Sequence, residues 1–191
     1  MDHAIPRKVL TGLALTGFMV MLLPAKAQAQ GTHNPNMPKT VVLHATVTIT
    51  GGVTFTGTYD QRLAISTCAE VAKNGTNPPS GPNHAAFYLP QTPNNTSGNG
   101  GPVGGGHTFS TDAAAYPYHG PGTYTGSALT ATQLDADTPP DSQETHIFAF
   151  PTAIGTMIVN PDASGSFQFK GLQDPGSVTI SGQVTWTCSE K

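Results

Sequence analysis

Four carboxylates fall between residues 135 and 144: Asp135, Asp137, Asp141 and Glu144. Calcium takes six to eight oxygen ligands, and an Asp-x-Asp start is one way to supply them. The spacing of a helix-loop-helix calcium site and its glycine are missing, so a solvated acidic loop is the ordinary reading and calcium the exceptional one. The same residues could serve a hydrolase. Glycoside cleavage, however, needs two carboxylates opposed across a cleft, about 5 or 6.5–9.5 Å apart. Four acids on one loop oppose one another poorly.

A second group is His107, Asp112 and His119, two imidazoles and a carboxylate that would suit zinc or copper. No H-x-H or H-x₃-H spacing accompanies them, and surface loop histidines are the plainer reading. Phe109, Tyr116, Tyr118 and Tyr124 gather around His119. Aromatics on such a loop can stack on a sugar or anchor a protein. They can equally cover the open end of a β-sandwich. No G-x-S-x-G, H-E-x-x-H, Walker-type loop or G-x-G-x-x-G occurs. The Gly-rich segment 98–106 has no helix behind it to make a phosphate cradle. No catalytic residue and no resident cofactor is assigned.

These groups must be carried by strands. Leu43, Ala45, Val47 and Ile49 alternate with His44, Thr46, Thr48 and Thr50. Val53, Phe55, Gly57 and Tyr59 alternate with Thr54, Thr56 and Thr58. Val178 to Cys188 alternates without a break. Period two in β-branched sequence is the mark of half-buried strands. The first two should form a hairpin. A loop of two residues would set apolar side chains opposite polar ones, whereas pairing Ile49 with Val53 across Thr50-Gly51-Gly52 restores one apolar face. An irregularity is expected around Asp60–Arg62, a loop over 69–83, a short strand over 84–89 and a disordered Gly/Pro/Asn loop over 90–106. Thr123–Gln133 should be a strand, His146–Phe150 a central one, and Ile154–Val159 and Ser166–Phe169 a hairpin. No window has a sustained helical period. The sum is an all-β chain, an antiparallel β-sandwich of immunoglobulin-like or jelly-roll-like kind.

Residues 1–29 have the plan of a secretory signal peptide. Arg7 and Lys8 precede an uncharged run, Val9–Pro24, and Ala27-Gln28-Ala29 offers a small-x-small cleavage site. Ala25-Lys26-Ala27 competes with it. The run is short and interrupted for a span of about 20 residues, although an uncleaved anchor is the alternative. No Cys adjoins the cut to carry a lipid. Residues 30–39 read as a flexible leader and 40–191 as a single domain. Beyond residue 29 five basic residues face ten acidic ones, a net charge of −5. That excludes the basic footprint of a nucleic-acid binder or of a protein held on an anionic membrane. Only 10% of the chain is charged, against about 25% in ordinary domains. Cys68 and Cys188 are the two cysteines. In an oxidising compartment they should be joined, with free thiols or a metal pair as the alternatives.

Tyr118-His119-Gly120-Pro121-Gly122-Thr123-Tyr124, Val159–Phe167 and Ser181–Cys188 resemble the corresponding stretches of small exported bacterial β-sandwich proteins that lack an assigned activity. The resemblance covers roughly the last 75 residues. It implies a fold and an extracytoplasmic address, and no catalytic residues. The function expected is that of a secreted non-enzymatic binding or surface-interaction module whose partner is a protein or a glycan. A carbohydrate- or metal-binding accessory role for the 107–124 loop and a hydrolase built on residues 135–144 are the alternatives. If the signal peptide is cleaved as expected, mass spectrometry of exported protein will find a new N-terminus at Gln28 or Gln30. Recovery of the full-length chain in the membrane fraction would refute this.

Overall fold

The computed structural model describes residues 40–77, 85–93, 101–137, 145–149 and 155–191. The expected signal peptide and leader, Asp141, Glu144 and Phe150 lie outside these residues, as do the side chains of Asp137 and His146. In chain order the strands are β1 (Val41–Gly51), β2 (Phe55–Leu63), β3 (Phe87–Tyr88), β4 (Gly101–Pro102), β5 (Thr108–Thr111), β6 (Ala114–Ala115) and β7 (Gly122–Thr125). Then follow β8 (Leu129–Thr130), β9 (Gln133–Asp137), β10 (Thr145–Ala149), β11 (Gly155–Val159), β12 (Gly165–Gln173) and β13 (Thr179–Glu190). One helix, α1 (Cys68–Asn74), follows β2.

The main sheet runs β2-β1-β13-β12-β10-β9-β5-β4, and β11 and β7 branch from β12. A second sheet is ordered β3-β6-β8. All pairings are antiparallel. The branch has a local cause. The β12–β13 register shifts between Phe169 and Leu172, where Gly171 takes a positive φ of 69°. Before this bulge β12 pairs with β11, and after it with β10. The small sheet packs on the inner side of the main one: the Phe87 ring lies 5.7 Å from that of Trp186. The far end of the main sheet meets β2, with Phe109 6.2 Å from Tyr59. There the Thr58 N–H donates to the Val103 carbonyl at 2.6 Å. The fold is an antiparallel β-sandwich with one disulfide, as the alternation of the sequence implies. The described residues all belong to one compact unit, Asn36–Lys191.

Several local expectations are corrected. The β1–β2 loop is odd in length but longer than three residues, because Ile49 pairs with Phe55 rather than Val53. Thr50 and Gly51 are held by β13, opposite Ser181 and Ile180. The Gly52 N–H also donates to Thr179 O at 2.9 Å. β2 continues through Asp60–Arg62 without the expected irregularity. The expected loop after residue 68 opens with α1. Its N-cap Thr67 accepts the Glu70 N–H at 3.1 Å, and the Glu70 carboxylate takes the Ser66 N–H at 3.2 Å, close to a capping box. Within the expected disordered loop, Gly101–Pro102 forms β4 and Val103 is fully buried. Thr123–Gln133 is not one strand: it breaks at a single 3-10 turn, Gly126–Ala128. β10 buries Phe148 but leaves Ile147 50% exposed, so only one of its faces is apolar in setting.

Trp186 is the centre of the core. It is 2% exposed, and its indole N–H donates to Ala163 O at 2.8 Å. Its partners on the flanking strands are Ala45 and Gly165, both small. A Cβ on Gly165 would overlap the indole. Two residues on, Cys188 is bonded to Cys68 at the start of α1, with Cα atoms 6.0 Å apart and a sequence separation of 120. Closing so long a loop restricts the unfolded chain and is worth roughly 5 kcal/mol in the chain-entropy account.

Trp186→Ala is expected to cost about 3–5 kcal/mol in chemical denaturation, the range for deleting a large buried aromatic. Thr185→Ala, on the outer face, is expected to cost well under about 1 kcal/mol. Trp186 is the only tryptophan, so a water-like emission maximum in the folded state would show that β13 is turned over.

Candidate functional site

The residues grouped by sequence do not assemble as a ligand set. His107 stacks on Phe55, with centroids 4.5 Å apart and planes within 10°. Asp112 accepts the N–H groups of Thr132 and Gln133 at 2.8 and 3.0 Å, and also the Thr132 hydroxyl. His119 is exposed, and its backbone N–H donates to the Tyr124 hydroxyl at 3.2 Å. Among the described residues no three His, Cys, Asp or Glu side chains come together to hold a metal.

The acidic segment is not wholly a loop, because β9 runs through Asp137. Asp135 is 3% exposed and accepts from the Ser110 hydroxyl at 3.0 Å and the Gln133 amide at 2.7 Å. These donors are what make a buried carboxylate tolerable. Asp112 and Asp135, assigned to different groups by sequence, line one small cavity of about 280 Å³ with Tyr88 and Gln91. All four of their oxygens already accept hydrogen bonds from β5, β9 and the turn before β9. They tie these segments together rather than face each other across a groove.

The aromatic group is mostly core. Phe109, Tyr118 and Tyr124 are buried, and only Tyr116, at 39%, is exposed among the four. The Tyr118 hydroxyl donates to Ala72 O at 2.6 Å, joining this corner to α1. The Tyr124 hydroxyl donates to Gly120 O. The rings close the end of the sandwich. Burial raises the hydroxyl pKa of Tyr59 and Tyr118 well above the ordinary tyrosine range, and the nearby Tyr124 adds to the effect at Tyr118.

What remains open is the outer face of β2, β1, β13, β12, β11 and β7. The register aligns Thr56, Thr48, Gln183, Gln168, Thr156 and Thr125 in one row across six strands. The next row is Thr58, Thr46, Thr185, Ser166, Ile158 and Thr123. A groove of about 760 Å³ lies on this face, lined by Thr48, Thr50, Thr156, Gln168, Ser181 and Gln183, with Lys170 its one charged group and with Gly155, Phe169 and Gly182 completing the lining. Gln168 donates an amide hydrogen to Gln183 at 3.3 Å. Further along β1 a second depression of about 340 Å³ is lined by His44, Asp60 and the threonines 46, 58, 185 and 187.

At this second depression Asp60 Oδ1 lies 2.7 Å from His44 Nδ1, and His44 Nε2 lies 2.9 Å from Ser189 Oγ. No sequence motif marks these three residues. The signal that finds them is register: His44 pairs with Asp60 on one side and with Thr187, two residues from Ser189, on the other. Comparison with known families, curated proteins and solved structures found no match, so the geometry alone carries the functional argument.

The buried tyrosines set an alkaline limit. Their folded-state pKa is raised, so the stability they contribute is fully present below the unfolded value of about 10 and is lost as pH rises above it. In denaturation at pH 8 and pH 11, the wild type should lose more stability than Tyr59→Phe. Equal losses in the two proteins would remove Tyr59 from the account.

Proposed function

We propose that the chain is exported and that its β-sandwich is a non-enzymatic binding module, whose outer face takes a neutral, hydroxyl-rich ligand of the glycan class. The observation that carries this reading is the groove across β1, β13, β12 and β11, whose polar lining is hydroxyl and amide groups with a single lysine, beside Phe169 and two glycines. Such groups donate and accept in the pattern that sugar hydroxyls require, and they offer little to a phosphate backbone or a strongly charged peptide. The site sits on paired strands, so its donors are held in place before a ligand arrives.

Export is supported by the signal-like residues 1–29 and by the Cys68–Cys188 bridge, since such bridges persist in oxidising compartments. Among the described residues no helix is long and apolar enough to cross a membrane.

The test is a glycan array followed by titration calorimetry on the exported protein. A neutral glycan should bind. The double variant Gln168→Ala/Gln183→Ala should weaken it at least tenfold, about 1.4 kcal/mol, with the melting temperature within a few degrees of wild type. Tyr116→Ala should bind as wild type does. Loss of binding in Tyr116→Ala with none in the glutamine pair would move the site to the 107–124 loop, and an array without hits would overturn the glycan reading.

A further inference from the structure

The Asp60–His44–Ser189 chain goes beyond a binding role. A carboxylate can only accept, so the 2.7 Å contact places the imidazole proton on His44 Nδ1. In the neutral imidazole Nε2 then carries the lone pair and accepts from the Ser189 hydroxyl at 2.9 Å. Carboxylate, imidazole and hydroxyl in this order are the parts that orient a base and activate a serine. They come from three adjacent strands, β2, β1 and β13, whose register holds them without a loop. Around His44, β2 contributes Asp60 and Arg62 to the outer face, and β13 contributes Thr187 and Ser189. The depression beside His44 and Asp60 is walled by threonines, and Ser189 lies next to it on the far side of His44.

We propose that Ser189 is a base-activated nucleophile that accepts an acyl group from an activated carboxylic ester, either an aryl ester or a thioester. Ser189 Oγ forms a bond to the acyl carbon while its proton passes to His44 Nε2. The C–O or C–S bond of the donor then breaks, and the proton leaves with the phenol or thiol, so that imidazole is neutral again and Ser189 carries an ester. The Ser189 main chain is committed to the β1–β13 ladder opposite Val42. Its N–H is therefore not offered to a tetrahedral oxyanion, a contact worth about 10²–10³ in rate. Without that donor only an activated ester can acylate the serine, and one acyl group per chain is the expected extent of reaction.

The test treats the full folded protein with p-nitrophenyl acetate and, separately, with a fluorophosphonate probe. The expected result is a burst of about one phenolate per chain and a single adduct that peptide mass spectrometry maps to Ser189. Ser189→Ala should lose both. Asp60→Asn should slow labelling at least tenfold with its melting temperature within a few degrees of wild type. Labelling spread over several hydroxyls, an unchanged burst in Ser189→Ala, or Asp60→Asn reacting at the wild-type rate would each overturn the proposal.

Discussion

The indole of Trp186 fits only because the residues opposite it on both neighbouring strands are small. Ala45 on β1 and Gly165 on β12 leave the width that the ring needs. The single polar atom of the ring is satisfied by Ala163 O in the turn that leads into β12. This arrangement allows one register on each side of β13. A slip of one residue would turn the threonines of β13 inward and the indole outward. With the register set, Cys188 arrives beside α1, and the disulfide fastens the last strand to the segment that follows β2. The outer rows are aligned by the same constraint, since each outer residue is fixed by its inner neighbours.

Strands with sustained alternation were legible because one rule, apolar inward, governs them from Leu43 onward in β1 and along β13. Both β1 and β13 follow it, and the parity of the first hairpin could be read from it as well. The exact pairing could not. Ile49 opposite Val53 and Ile49 opposite Phe55 both keep the apolar face, and they differ only in loop length. The choice is made by β13, which holds Thr50 and Gly51 and so delays the turn. That shift has a chemical consequence: it sets Asp60 opposite His44, where the shorter loop would have set Thr58. A hydrogen-bonded triad across three strands is invisible to any motif that runs along one.

The candidate sites failed to be legible for a different reason. Composition says that a segment carries carboxylates or rings, but not which way they point. Asp112 and Asp135 satisfy the donors of neighbouring segments, and Tyr118 and Tyr124 fill the end of the sandwich. The Gly- and Pro-rich stretch before β5 misled in the opposite sense. Its one valine is a core residue, reached by a close approach of backbones. Gly57, lacking a side chain, lets Val103 come against β2, and Thr58 donates to its carbonyl. Glycine there signals contact rather than freedom. The helix escaped notice because seven residues are too few to show a period, yet Thr67 and Glu70 carry its start signal in plain sequence.

Threonine on the outside of a sheet is explained by β propensity alone, so the rows of Thr are not in themselves an argument for binding. The glutamine pair adds what threonine does not, amide donors and acceptors facing across β12 and β13 at 3.3 Å. Gly182 has no side chain for an inward reason: a Cβ there would press on the Phe169 ring at 2.6 Å and on Thr48 O at 2.7 Å. Gly155 likewise clears the Phe167 ring, which a Cβ would meet at 2.6 Å. These two glycines answer to packing on the core side of the sheet, on the strands that also carry Gln183 and the partner of Gln168 on the outer face. The β-branched threonines have one stiff side-chain torsion and little freedom to lose on binding, whereas the longer glutamines, joined to each other, have more. On the proposed glycan reading, recognition falls on the open side of the sheet rather than on the acidic or aromatic loops, because the polar groups of those loops are already taken up within the fold.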